Sequence, residues 1–152
     1  MPTITPSIQD RFAETLLIFR PTAGSIIIDL RYPIPEERLQ VLSALGPARC
    51  FAVVTAANRM GQPQSDAENA AAHRRLEEAV SRTAAAAHPV DGVSPDMTHR
   101  EAGFAVWVPE AAARSLAQQF RQLAYFWFDG ERFWLVSCTG QARVPLPAGA
   151  GS

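Results

Sequence analysis

Residues 51–76 have the sequence FAVVTAANRMGQPQSDAENAAAHRRL, which predicts a buried strand, a polar loop and a helix in that order. The strand, over 51–56, has no charge and no polar alternation, as is typical of a strand buried on both faces. Ser65 is followed three residues later by Glu68, which matches a capping box and starts the helix near Ser65. The densest run of amide and hydroxyl side chains therefore falls at one strand-to-helix junction, where binding sites are common.

The composition is that of one soluble globular domain: 152 residues, 47% of them hydrophobic and 19% charged. A formal charge of -1 provides no overall field that would attract nucleic acid or an acidic membrane. All 14 basic residues are arginines, which excludes a Schiff-base lysine and a P-loop lysine. The chain has neither a signal-peptide pattern nor an apolar run of membrane-spanning length, so we expect a cytoplasmic protein that does not bind membranes.

Cysteines and histidines give no pattern typical of a reactive centre. Cys50 and Cys138 lie far apart, each in or beside an apolar run, so we interpret them as buried thiols; a disulfide or a nucleophile is the alternative. His73, His88 and His99 match no metal-ligand spacing, and we predict neither a metal nor a cofactor. Nucleotide-binding glycine motifs, the G-x-S-x-G motif and DNA-binding signatures are not found, so the sequence does not decide whether the protein is an enzyme.

Apolar runs and turn residues predict the other elements. Two β-branched runs, 15–19 and 25–30, flank a segment containing Pro21 and Gly24, which indicates an antiparallel hairpin. Asp129-Gly130 between two aromatic runs indicates a second hairpin over 123–138. The remaining predicted elements are a helix over 35–46, a short strand over 88–93, a strand over 103–108 and a helix over 109–122.

This order, with a hairpin at each end, predicts an α+β fold rather than a doubly wound parallel sheet. We expect a mixed, largely antiparallel sheet with the helices packed mainly on one face, as a two-layer sandwich. Residues 1–142 are predicted to form a single domain whose first ten residues are a loose arm. Residues 143–152 have no periodicity and are predicted to be a flexible tail.

The helix after the capping box has an inner and an outer side. Helical spacing puts Ala72, Leu76 and Ala79 on the inner side, and the same phase turns Asn69 inward. An inward amide beside the end of a strand either satisfies backbone groups of the loop or faces a ligand, and both interpretations stay open. The outer side takes the charged residues Arg74, Arg75, Glu77, Glu78 and Arg82.

The polar side chains of the junction could form a ligand site. Hydroxyls and amides orient a polar small molecule, but they need a partner for acid–base chemistry. Glu101, before a predicted strand, could supply a general base or an anchor for ligand hydroxyls; a solvated charge or an ion-pair partner of an arginine is the alternative. The predicted ligand-binding residues, for a polar small-molecule or nucleotide-like ligand, are Thr55, Asn58, Asn69, Glu101 and Gln122.

The aromatic hairpin supports a second hypothesis, a non-enzymatic interaction or regulatory module. Aromatic residues occupy successive positions 125–128, so both faces of that strand are apolar and a helix or a second subunit must cover one of them. This predicts a homodimer through residues 125–136. The same aromatics could stack on bases, but Arg132 is the only basic residue beside them, and we do not expect nucleic-acid binding.

Four segments resemble a family of small bacterial proteins known as the domain of unknown function 3293: FAVVTAANR, SDAENAAAHRRL, DGVSPDMTHREAGF and FRQLAYF. The resemblance covers roughly residues 15–137. It implies that the amides and Glu101 belong to one constellation, but it implies no activity. The residues that match the family pattern are Thr55, Ala56, Asn58, Ser65, Asn69, Gly92, Glu101, Gln122 and Ala124. The residues that depart from it are Arg59, Gly103 and Arg121, where the pattern has Pro, Ser and Gly.

Overall fold

A computed structural model describes residues 6–20, 24–58 and 62–147, and these ranges contain four helices and eight strands. In chain order they are α1 (Pro6–Ala13), β1 (Leu16–Phe19), β2 (Ile26–Asp29), α2 (Glu36–Ser43), β3 (Phe51–Thr55), α3 (Asp66–Thr83), β4 (Ala87–Val93), β5 (Arg100–Val106), α4 (Glu110–Gln119), β6 (Ala124–Phe128), β7 (Phe133–Ser137) and β8 (Arg143–Leu146). Pro21 in the first predicted turn, Arg59 in the polar loop, and residues 148–152 of the predicted tail lie outside the described residues.

All eight strands form one antiparallel sheet in the order β2-β1-β4-β5-β3-β6-β7-β8. The predicted α+β fold with a largely antiparallel sheet is therefore confirmed, whereas the expected mixed character is wrong, because all the strand pairs among the described residues are antiparallel. β3 is a central strand, since Val53 pairs with Ala105 of β5 on one side and with Phe126 of β6 on the other. Phe51 and Ala52 are fully buried, as an uncharged strand between two neighbours predicts.

The sheet carries a hydrophobic core on each face. Because side chains alternate along a strand, β3 sends Phe51 and Val53 into one core and Ala52 and Val54 into the other. Residues of α1 and α2 join the first core, and residues of α3 and α4 join the second. The expected two-layer sandwich with helices mainly on one face is therefore not confirmed.

The sheet curls around the first core. Phe19 of β1 and Phe133 of β7 have ring centroids 6.4 Å apart, although four strands lie between β1 and β7. In a flat sheet, five strand spacings would separate them by about 24 Å. The curl brings the large aromatic side chains of the first core into contact with one another. A covering layer as large as the sheet is therefore not needed to bury them.

Three segments differ from the prediction. Helix α1 covers residues 6–13, where a loose arm was expected over 1–10. Residues 143–146 are not part of a tail, because Val144 pairs with Leu135 and makes β8 an edge strand, where Pro145 is tolerated. β5 begins at Arg100 instead of 103, so Glu101 lies inside a strand.

The aromatic hairpin is confirmed as β6 and β7, which are joined through residues 129–132. Every residue of β6 is buried inside the chain, between β3 and β7, and Trp134 of β7 is half-buried. The apolar surface that suggested a homodimer is thus covered by the chain's own elements, and the homodimer stays a prediction. Among the helices in the described ranges, none combines the length and the apolar character needed to cross a membrane.

Candidate functional site

The start of α3 is fixed by the capping box that the sequence predicts. The Glu68 N–H donates to Ser65 Oγ over 3.1 Å, and the Ser65 N–H donates to Glu68 Oε1 over 3.4 Å. These bonds satisfy two of the amide groups that the first helical turn leaves without partners. Asn69 therefore occupies a defined position one turn into the helix, facing the end of β3.

Asn58 and Asn69 form the centre of the junction. The Asn58 N–H donates to Asn69 Oδ1 over 2.9 Å, and Asn69 Nδ2 donates to Asn58 Oδ1 over 3.1 Å. The Gln64 N–H also donates to Asn58 Oδ1, over 3.0 Å. Asn58 has a φ of 51°, in the left-handed region that asparagine tolerates better than most residues. The two amides thus hold the two ends of the loop between β3 and α3 together.

Glu101 joins this pair from the neighbouring strand β5. Asn58 Nδ2 donates to Glu101 Oε2 over 3.0 Å, and His99 Nε2 lies 2.9 Å from the same oxygen. The Glu101 side chain is 27% exposed and that of His99 is 61% exposed. Among the described residues, the hydrogen bonds to this carboxylate are made at Oε2, and no group donates to Oε1.

Thr55 and Gln122 bind the backbone instead of joining the three-residue cluster. Thr55 Oγ1 donates to the Ala102 carbonyl over 2.9 Å and accepts from the Ala57 N–H over 3.1 Å. Gln122 Nε2 donates to the Ala57 carbonyl over 3.0 Å and to the Phe120 carbonyl over 3.2 Å. Both side chains satisfy peptide groups around Ala57, next to Asn58, and so they support the turn that positions the cluster.

His99 is a member of the cluster that the sequence prediction missed. It lies two residues before Glu101 and immediately before β5, which begins at Arg100. A predicted strand that began near 100 would have placed His99 and Glu101 on the same side of the extended chain, but the prediction began the strand at 103. We use the name "Glu101 cluster" below for Asn58, Asn69, His99 and Glu101.

The end of α4 brings a second set of residues to the same junction. α4 ends in a Schellman motif: the Arg121 N–H donates to the Gln118 carbonyl and the Gln122 N–H to the Ala117 carbonyl, both over 3.0 Å. Arg121 occupies the position of this motif that glycine favours, and its φ is 55°. The motif turns the chain back toward β3, which places Gln122 against Ala57.

A groove of about 250 Å³ opens between α3 and the end of α4. Its floor includes Ala56, at the end of β3, and Ala72, one turn after Asn69 in α3. The residues that line it are Ala56, Ala72, Arg75, Glu78, Arg82, Gln119, Phe120 and Arg121. The sequence placed Arg75, Glu78 and Arg82 correctly on the outer side of α3, but it could not show that α4 would lie beside them.

The two cysteine thiols and the possible metal ligands give no sign of a reactive centre among the described residues. Cys50 and Cys138 are both free, and burial raises the pKa of the Cys138 thiol to about 11, which disfavours the thiolate. Within the described ranges, no three His, Cys, Asp or Glu side chains are grouped so that they could hold a metal ion. Among the described residues, the junction offers a hydrogen-bonding cluster with one carboxylate beside one imidazole.

The structure defines an α+β protein with a curled antiparallel sheet and a polar cluster where β3, α3 and β5 meet. Residues 54–125 match the model of DUF3293, a protein family of unknown function, and this match supports the resemblance to that family seen in the sequence. The matched range contains all five predicted site residues. No significant match is found among curated proteins or among solved structures.

The structure shows the surroundings of two residues that depart from the family pattern, Gly103 and Arg121. A Cβ atom on Gly103 would lie 2.3 Å from the Val54 carbonyl oxygen, so a serine there would require β3 and β5 to move apart. Arg121 occupies the left-handed position of the Schellman motif described above. The third departure, Arg59, lies outside the described residues.

Proposed function

We propose that the Glu101 cluster binds a polar, nucleotide-like small molecule that donates hydrogen bonds to the Glu101 carboxylate. One observation carries this proposal. Glu101 is anchored through Oε2 by Asn58 and His99, while Oε1 has no donor among the described residues and the side chain stays 27% exposed. A carboxylate fixed on one oxygen presents the other in a defined direction. Its side chain therefore loses less conformational entropy when a ligand binds.

Hydroxyl and amino groups are the ligand groups that suit this oxygen. An ionised carboxylate only accepts hydrogen bonds, and a bond to a charged group contributes about 1.5–3 kcal/mol, more than a neutral bond. Ribose hydroxyls and the exocyclic amino groups of bases both fit this requirement. His99, which is mostly exposed, shares the Glu101 oxygen and provides a second polar group for a ligand to contact.

The two asparagines have a supporting role in this proposal. Asn58 Oδ1 already accepts two hydrogen bonds, and Asn69 uses both ends of its amide on Asn58. Their remaining capacity, among the described residues, is one N–H on each Nδ2 and one lone pair on Asn69 Oδ1. They position Glu101, so loss of an asparagine should affect folding stability, whereas loss of the Glu101 charge should affect binding.

A thermal-shift screen of metabolites, nucleosides and nucleotides tests the proposal, because a ligand that binds only the folded state raises its Tm. Each compound that stabilises the parent is then measured on Glu101→Gln. The glutamine oxygen can still accept from Asn58, so the variant should fold normally while the shift produced by the ligand becomes smaller.

Glu77→Gln is the matched control, since it removes one carboxylate from the exposed side of α3. It should leave the ligand-induced shift unchanged. The proposal fails if every stabilising compound acts equally on the parent and on Glu101→Gln, or if Glu77→Gln reduces the shift as much as Glu101→Gln does.

A further inference from the structure

The groove between α3 and α4 has an excess of positive charge. Three of its lining side chains are arginines, Arg75, Arg82 and Arg121, and one, Glu78, is acidic. Four of the ten described arginines outside the groove are paired with carboxylates: Arg20 and Arg100 with the buried Asp91, Arg31 with Asp29, and Arg143 with Glu110. By contrast, no carboxylate among the described residues lies within 4.0 Å of a groove arginine's charged nitrogens.

We infer that this groove is a second binding site, and that it takes a small phosphorylated compound. The guanidinium group is planar and carries its donors in a fork that matches two oxygens of a phosphate group. In the described part of the chain, the side chains of the three groove arginines donate no hydrogen bond to protein acceptors. Their donors are therefore available to a ligand without first breaking an internal ion pair.

The position of Arg121 supports this inference independently of its charge. It stands at the glycine-favouring position of the Schellman motif with a φ of 55°, a conformation that is unfavourable for a residue with a Cβ. Its N–H would complete the motif equally well if the residue were glycine. Compared with glycine, arginine adds at this position a charged side chain that lines the groove.

The size of the groove and Glu78 narrow the class of ligand. A volume of about 250 Å³ is below the usual range for drug-sized ligands, about 300–1,000 Å³, and suits a compound with one or two phosphate groups. Glu78 can accept a hydrogen bond from a hydroxyl beside the phosphate, as in a sugar phosphate. With inorganic anions Glu78 only repels, so it weakens their binding relative to that of a sugar phosphate without preventing it.

This inference does not rest on the proposed function, because the groove and the Glu101 cluster share no residue. A negative result for the Glu101 cluster would therefore not contradict the groove site, and a negative result for the groove would not contradict the Glu101 cluster. A compound that bridges both sites would lose affinity on substitution at either one, whereas a groove ligand should bind Glu101→Gln as it binds the parent.

Isothermal titration of the full chain with inorganic phosphate, pyrophosphate and ribose 5-phosphate at constant ionic strength tests the inference. We expect pyrophosphate and ribose 5-phosphate to bind the parent. Arg75→Gln, Arg82→Gln and Arg121→Gly should each weaken binding about tenfold, the effect of losing one charge-assisted hydrogen bond. Glu78→Gln should strengthen the binding of pyrophosphate.

Arg74→Gln is the control, since Arg74 is an exposed arginine of α3 that does not line the groove. Arg121→Gly keeps or raises the Tm, because glycine adopts the positive φ freely, so weaker binding by this variant cannot be attributed to unfolding. The inference is overturned if none of the three compounds binds the parent, or if Arg74→Gln weakens binding as much as Arg82→Gln does.

Discussion

Asn58 and Asn69 exchange two hydrogen bonds, one from the Asn58 backbone N–H to Asn69 Oδ1 and one from Asn69 Nδ2 to Asn58 Oδ1. The pair connects the loop that follows β3 to the first turn of α3 across eleven positions of the chain. It also sets the direction of Asn58 Nδ2, which holds Glu101. A structural contact between two amides thus determines where the carboxylate of the proposed site lies.

Asn69→Ala should lower the free energy of unfolding by about 1–3 kcal/mol, because the Asn58 N–H would lose its acceptor in a partly buried place. Urea unfolding followed by circular dichroism measures this change. Arg74→Ala, an exposed substitution in the same helix, should change stability by less than about 0.5 kcal/mol. Equal stability of Asn69→Ala and the parent would show that the Asn58–Asn69 contact does not stabilise the fold.

Val54→Asp should prevent folding. Val54 is 2% exposed in the central strand β3 and belongs to the core beneath α3 and α4. A carboxylate there would be buried without a partner, and its desolvation costs more than a typical domain's stability can absorb. Expression level, solubility and the Tm report the outcome; a soluble variant with the parent's Tm would contradict the burial of β3.

Gly103→Ala should destabilise the protein by about 1–3 kcal/mol, the usual cost of forcing extra volume into a packed site. The added Cβ would lie 2.3 Å from the Val54 carbonyl oxygen, so two central strands would have to separate. Gly92→Ala in β4 is a suitable control, since its Cβ would meet the nearest atom at 3.5 Å. Urea unfolding of both variants should show a clear loss for Gly103→Ala alone.

The sequence predicts elements that are determined locally. β3, the capping box of α3 and the β6–β7 hairpin follow from runs and spacings within a few residues, and the structure contains all three. The order of the strands depends on contacts between distant segments, which periodicity does not report. For the same reason β8, a four-residue edge strand containing Pro145, was taken for part of a tail.

The candidate site shows the same division. Helical phase predicted that Asn69 would point inward beside the end of a strand, and in the structure it contacts Asn58 in the loop after that strand. The structural roles of Thr55 and Gln122 could not be predicted from the sequence. Both side chains donate to carbonyl groups whose positions depend on how β5 and α4 pack. The groove was missed because it requires α3 and α4 to lie side by side on the sheet.

Tyr125 should make stability fall at high pH. Burial, followed by donation of its hydroxyl to Glu110, raises its pKa from 10.0 to about 12, so the folded state favours the neutral phenol. Its contribution to stability is complete below the unfolded pKa of about 10 and is lost as the pH rises toward about 12. In Tyr32→Phe, Tyr125 is the only tyrosine left, and its phenolate absorbance reports this titration. Ionisation near pH 10 in a folded protein would contradict this prediction.

Asn58 combines a backbone role and a side-chain role, and two substitutions separate them. Asn58→Gly removes the amide but keeps free access to the observed φ of 51°, whereas Asn58→Ala removes the amide and adds strain. We therefore expect both variants to be less stable than the parent, and Asn58→Ala to be less stable than Asn58→Gly by about 1 kcal/mol. Urea unfolding of the three proteins measures both differences.

In both variants Glu101 loses the Nδ2 donor that orients it, so a ligand of the Glu101 cluster should bind the glycine variant more weakly than the parent even where that variant is fully folded. Parent-like binding by folded Asn58→Gly would mean that His99 alone is sufficient to orient Glu101.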